Sequence, residues 1–375
     1  MKQRFSIYLA LVVLFVALTA KATAQTPALG REFGKSLAVS GNTAIIGAVE
    51  SVNKGVVYVY YRNGATWIQQ QKLEAKDGSS QDGFGNTLAI SGDTAIIGAP
   101  ERNEKTGAVY VFVRNGSNWT QQQKIELSDG EKGDFFGNDL AIEKNIFLAG
   151  ISNDRKRRSG VYVFERSGTV WRLQQKLSLG DAEVLGSVAI NDDRAAFSSH
   201  GAHGEGTVYI FARNGASWTE EQKIVSSEPE LGLYFGMSVA LGPDTLVVGA
   251  PAPIPPLKTF QSAAYVFARK DKTWQLQQKL TAPDGTFTFA GAVALSGNTA
   301  VILKPDSLIY IFTRNGGKWT LQKRLPAKDS VANSFAINGD IVLIGSPGMN
   351  NGEGVVQIFV RSGKTWIQQH KLVAQ

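Results

Sequence analysis

The 375-residue chain has no cysteine and only three histidines, His200, His203 and His370. Without cysteine there is no disulfide framework, thiolate metal site, cysteine nucleophile or lipidated N-terminal cysteine. Also missing are a Gly-x-Ser-x-Gly elbow, a His-Glu-x-x-His helix and a glycine-rich phosphate loop ahead of a helix. Their absence removes the commonest signatures of acyl transfer, metalloproteolysis and nucleotide chemistry. After residue 24 no apolar run is long enough to cross a bilayer as a helix, so no membrane span is expected. Charge imbalance is small as well. The formal +7 includes Lys2, Arg4 and Lys21 with no acid among them, and without those three the chain carries +4. Most basic residues recur at fixed repeat positions, which argues against nucleic acid as a partner.

The first residues carry an address. Lys2 and Arg4 precede an apolar run from Ile7 to Leu18, which ends in the small-x-small pattern Ala22-Thr23-Ala24. Residues 1–24 therefore read as a signal peptide cut before Gln25, and a secreted location is expected, whether extracellular, periplasmic or at the cell surface. A chain of about 350 residues buries a core large enough to do without disulfides, and a monomer is expected.

What is present is a repeat. The seven tryptophans, Trp67, Trp119, Trp171, Trp218, Trp274, Trp319 and Trp366, are 45 to 56 residues apart. An arginine stands five residues before each, from Arg62 to Arg361, and a basic residue five after each, from Lys72 to Lys371. A period near 50 without a helical pattern inside it reads as an all-β, seven-bladed β-propeller with four antiparallel strands per blade. Residues 25–375 form this domain, with blades at about 33–82, 83–134, 135–183, 184–231, 232–288, 289–330 and 331–375.

The second unit shows the blade most clearly. Phe84 to Ile90 and Thr94 to Pro100 are continuously apolar, as inner strands packed between neighbouring sheets should be; Ala108 to Phe112 alternates; and Trp119 to Ile125 is polar, with three glutamines. The strands are thus expected to become wetter outward from the axis. Asn-Gly at 63–64, 115–116, 214–215 and 315–316 supplies the positive φ of a tight hairpin between strands three and four. On the outermost strand the recurring lysine discourages edge pairing, and the recurring arginine is placed to lie over the indole, a contact of roughly 0.5–1 kcal/mol.

Phe-Gly opening the first strand (33–34, 84–85, 136–137, 235–236) and Gly-Ala-Pro closing the second (98–100, 249–251) resemble the FG-GAP repeat. Weaker copies are Leu185-Gly186, Phe289-Ala290 and Val331-Ala332. The resemblance is to the seven-bladed propeller at the amino terminus of integrin alpha subunits, to related bacterial secreted proteins and to some propeller lectins. It implies adhesion or binding, and calcium loops of the form Asp-x-Asp-x-Asp-Gly between strands one and two. Here those connections are as short as Ser40-Gly41-Asn42 or Ser91-Gly92-Asp93 and offer two carboxylates at most, too few for calcium. No metal or cofactor is therefore expected. Two inter-blade stretches, 77–82 and 129–134, are oxygen-rich and read either as turns or as loose cation sites.

Strand alternation puts the short, uniform turns on one face and the variable loops on the other, and a scaffold that repeats everywhere except one rim keeps its specificity there. Three loops stand out. Arg155, Lys156, Arg157 and Arg158 form a cationic cluster, either a solvated loop or a site for an acidic protein or a sulfated or uronic glycan. The Pro-rich stretch 251–256 is stiff, with Ile254, Leu257 and Phe260 as apolar contacts or as a cap on a neighbouring blade. His200, His203 and Glu205 are metal-capable but lack a fourth ligand. No pattern points to catalysis. The expected function is a non-enzymatic binding or adhesion propeller for an extracellular protein or glycan, with a lectin proper and then a carbohydrate-active enzyme as alternatives.

Overall fold

The computed structural model describes residues 32–374 except 50–53, 154–157, 179–183, 201–205, 228–233, 253–260, 285–288, 305–307 and 327–333, so the expected signal peptide lies outside the described residues. Strands form seven antiparallel sheets of four, each in strict chain order and each from one continuous stretch, the first from 33–73 and the last from 334–372. The architecture is a seven-bladed β-propeller.

Within a blade, burial follows what covers each strand. In blade two the second strand, Thr94–Ala99, is buried throughout, because neighbouring sheets cover both its faces. The innermost strand, Thr87–Ser91, is only partly buried, contrary to the expectation from its apolar run. One of its faces looks into the axial channel. The third strand, Ala108–Asn115, does not alternate either: its first five residues are buried and only its end is wet. Both its faces pack on adjacent blades, Val109 and Val111 on one side and Tyr110 and Phe112 on the other. Wetness therefore does not rise steadily from the axis.

The paired glycines of the repeat meet across blade junctions. A Cβ on Gly47 would strike the carbonyl of Gly85 in the next blade, and Gly98 stands in the same relation to Gly137, as Gly345 does to Gly34. Only glycine allows that approach. Beside it, Ser36 and Thr87 donate to the carbonyls of Gly85 and Gly137, both at 2.5 Å. The phenylalanine of the motif is fully buried and lies edge-on to a third-strand tyrosine, as in Phe84 on Tyr110 at 5.3 Å and Phe33 on Tyr58 at 5.2 Å. Blade four departs. Leu185 pairs with Ser199, but its first strand reaches Val188 one residue sooner than Phe33 reaches Leu37 in blade one.

Closure repeats an ordinary junction. Glu32 and Phe33 donate to the carbonyls of Gly352 and Glu353 at 2.9 and 3.1 Å, and Ser334 of blade seven donates to Gly34 at 2.6 Å. Phe135 and Phe136 bind Lys105 and Thr106 in the same way between blades two and three.

The outer strands are tied by glutamines. Each pairing of strands three and four carries a register shift, at Val163/Phe164 in blade three. Such a bulge breaks strict alternation, so two consecutive residues face the same neighbour. Gln175 clasps the backbone of Trp218 while Gln174 accepts from its indole N–H at 3.2 Å. The tryptophans are 1% to 6% exposed. Arginine lies over the indole in four blades, for example Arg114 over Trp119 at 5.7 Å. The recurring basic residue has a partner that sequence alone did not suggest: Lys176, Lys223 and Lys279 lie 5.0 to 5.3 Å over Tyr162, Tyr209 and Tyr265 of their own third strands.

Candidate ligand-binding face

The uniform face uses its polar groups on itself. The last residue of one inner strand accepts from the turn of the next blade: Ser40 from Gly92, Ser91 from Lys144, Ser296 from Gly339 and Asn338 from Gly41, at 2.9 to 3.1 Å. Arg114 binds Asp93 at 2.7 Å and reaches back to Thr43 of the preceding blade at 3.1 Å, while Arg213 and Arg269 reach Glu165 and Glu221 at 2.6 Å. A ligand there would have to displace bonds that hold the ring.

On the variable face, the residues singled out from sequence fall mostly where the structure describes nothing. Arg155, Lys156, Arg157, Ile254, Leu257, Phe260, His203 and Glu205 lie outside the described residues. Arg158 opens the strand Arg158–Ser167 and is paired with Asn153, and His200 ends the strand Arg194–His200. Asn153, at the base of the Arg155 loop, is 3% exposed and donates to Asp134 at 3.0 Å. Tyr234 and Met237 are 41% and 47% exposed, and the Tyr234 N–H donates to the Pro251 carbonyl.

The two oxygen-rich stretches are ion-paired or hydrogen-bonded within the fold. Asp77 accepts from Tyr110 at 3.0 Å and pairs with Arg102 and Lys124, both at 2.9 Å. Partial burial works against its charge, yet the bonds from Lys124 and Tyr110 with the Arg102 field hold its carboxyl below the usual range. Asp82 accepts from Arg102 at 2.6 Å and from the Ser79 N–H at 2.8 Å. Among the described residues no group of three or more His, Asp or Glu stands ready to hold a metal.

A cavity of about 370 Å³ opens on this face between blades one and two, lined by Glu32, Lys35, Val49, Gln81, Asn86 and Glu101 with Gly83. Lys35 and Asn86 also line a second cavity, of about 280 Å³, formed by the inner strands around the axis. Sequence reading missed both residues. Their signal was present in the motif: the position after Phe-Gly is Lys35, Asn86, Asn138 or Met237, variable directly after a fixed pair.

Asp139 borders the axial cavity at the position occupied by Ser36 and Thr87 in other blades. It accepts from the N–H of Val188 at 2.8 Å and of Leu140 at 2.9 Å. The shortened first strand of blade four presents an N–H where other blades present the Phe-Gly carbonyl, so an acceptor replaces a donor. Burial pushes the Asp139 carboxyl up to about 7, while bonds from Val188, Leu140 and Ser187 pull the other way.

Residues 17–60, 67–112, 119–164 and 218–267 match the FG-GAP repeat family. The chain is an FG-GAP repeat protein. Three of the four matched units begin at a tryptophan, so the family's unit runs from the outermost strand of one blade to the third strand of the next. Among solved structures, the periplasmic gluconolactonase PpgL of Pseudomonas aeruginosa is similar at 14% identity and TM-score 0.62, over 88% of this chain and 94% of that one. Sqt1 of Saccharomyces cerevisiae is similar at 10% identity and TM-score 0.54, over 90% and 85%. A putative 6-phosphogluconolactonase of Bacteroides uniformis is similar at 9% identity and TM-score 0.54, over 78% and 85%. At such identity the likeness is one of fold. No curated protein matches the chain.

Proposed function

We propose that this FG-GAP propeller is a secreted, non-enzymatic binding module that takes an extracellular protein or glycan on its variable face. One observation carries this reading: the uniform face is laced by blade-to-blade bonds at four junctions, whereas the opposite face bears loops of differing length and an open polar cavity. A rigid ring with one irregular rim is a recognition scaffold. Lactonases are among the proteins that share the fold, but a fold shared at 14% identity or less transfers no activity.

The cationic cluster gives the reading its test. Arg155, Lys156, Arg157 and Arg158 would steer an acidic partner in a salt-sensitive way. Screening the chain on glycan and extracellular-protein arrays, then neutralising all four together, is expected to weaken binding at low salt and flatten its salt dependence. Binding that survives this change but disappears on substitution of Asn63 or Asn115, in the hairpins of the other face, would place the ligand on the wrong side for this proposal.

A further inference from the structure

The junctions on either side of blade two differ at the position that precedes the motif phenylalanine. Between blades two and three that residue is Phe135, at φ 50°, and the Lys105 ammonium of the neighbouring loop covers its ring at 5.2 Å. In blade two the same position is Gly83, at φ 71°. The atoms nearest to a Cβ built on Gly83 are side-chain atoms of Pro100 and Glu101 at 3.6 Å or beyond, an ordinary van der Waals contact.

The walls are held before any ligand arrives. The Lys35 N–H donates to the Glu32 carbonyl at 3.0 Å, that of Asn86 to Gly83 at 2.9 Å, and that of Glu101 to Asp82 at 3.1 Å. Asp82 is gripped by Arg102, and both side chains are almost buried, at 10% and 12% exposure. Preorganised walls spare a ligand the cost of ordering them.

The lining chemistry selects the ligand class. Lys35 and Glu32 pair at 3.2 Å, which leaves the Glu101 carboxylate and the amides of Gln81 and Asn86 as the remaining polar groups, with Val49 as an apolar wall. Carboxylates and amides each present two polar atoms in one plane, which suits pairs of adjacent hydroxyls. Two acids against one base disfavour an anionic ligand. The volume lies in the range of small-molecule sites.

We propose that this cavity binds one uncharged sugar residue, as a single site and not as a repeated set. The proposal rests on the reading of the variable face as the binding face, and names its ligand class. Titration calorimetry with a panel of neutral methyl glycosides at millimolar concentration tests it. At least one glycoside is expected to saturate the wild type. Gly83→Phe, which copies blade three, and Glu101→Ala, an exposed side chain, are each expected to weaken that binding by about tenfold or more, roughly the loss of one good polar contact; Glu101→Ala should leave the melting temperature little changed, whereas Gly83→Phe, at a positive φ, lowers it and is titrated well below its transition. A panel that never saturates the wild type overturns the proposal, as does binding that both variants leave intact or binding confined to a cationic amine such as glucosamine. Array ligands captured equally by wild type and Gly83→Phe would sink this cavity and leave the face-level reading standing. Arrays blank for the wild type would sink the broader reading.

Discussion

The side chain of Gln71 holds the backbone of Trp119 in the next blade at both ends: its Nε2 donates to the Trp119 carbonyl and its Oε1 accepts from the Trp119 N–H, each at 2.8 Å. Gln123, Gln175, Gln222 and Gln278 repeat the clasp on Trp171, Trp218, Trp274 and Trp319. Lys323 and His370 stand at the corresponding positions of blades six and seven. At the closing junction His370 makes one contact, with the Ala65 carbonyl at 2.8 Å, and Arg62 turns back to Gly64 because Ile341 replaces the threonine that Arg114 reaches.

Removing a clasp should therefore loosen the ring measurably. Gln71→Leu is expected to cost about 1–3 kcal/mol, the sum of two partly exposed hydrogen bonds. Urea unfolding monitored by tryptophan fluorescence checks it, and an unchanged midpoint would mean that water replaces both bonds without loss.

The converse change should help. Lys323→Gln and His370→Gln install the glutamine that five other blades already use, and the pair is expected to raise stability by about 1 kcal/mol or more. If the double variant melts at or below the wild-type temperature, the outer rim at blade seven is held by something other than this clasp.

Much of the ring was readable from sequence, because it depends on signals local to one unit: the tryptophan period, the turn glycines and the Phe-Gly and Gly-Ala pairs. What sequence did not reveal lies between units. The glutamine four residues after the tryptophan in five outer strands looks like a solvated edge residue until the next tryptophan backbone is beside it, and Lys176 looks like an edge guard until Tyr162 is under it. The half-open inner strand was missed for a related reason: an apolar run does not say that one of its faces borders a channel. At the candidate site, Lys35 and Asn86 were hidden inside the motif itself, and the loops read as the rim lie outside the described residues.

Each tryptophan should behave as core. Trp119 is 2% exposed, and Trp119→Ala is expected to cost about 3 kcal/mol or more, as emptying a large aromatic site does. The folded fraction should still bind whatever the variable face takes. A variant of wild-type stability that had lost its ligand would instead mark the indoles as contact residues.

Asp139 should make the fold weaken as pH rises. Its carboxyl is raised to about 7 in the folded chain, above the range of an unfolded aspartate near 3.9, so its contribution is fully present below about pH 4 and lost on the way up to about 7. The loss is a few kcal/mol at most, since the residue borders the lumen. Asp139→Ser, which restores the residue type of Ser36, should gain stability relative to the wild type between pH 4 and pH 7. Parallel pH profiles of the two proteins would show that the carboxyl titrates normally.

Metal removal should do nothing to stability. Asp77, Asp82 and Asp134 are engaged by Arg102, Lys124, Tyr110, Asn153 and backbone N–H groups. Chelation with EDTA is expected to leave the melting temperature unchanged, and a fall of several degrees would reassign these inter-blade loops as cation sites.

The way Glu32 and Phe33 dock on Gly352 and Glu353 means that the first and last blades meet at a boundary of the same kind as the one between blades two and three. Among the described residues no strand is borrowed from another blade to finish a sheet. The ring thus has no privileged starting point. A circular permutant opened between the strands Thr66–Leu73 and Thr87–Ser91, with the old ends linked, would rebuild the same seven sheets from a different reading order. The position of a variable loop on the surface is accordingly independent of its place along the gene.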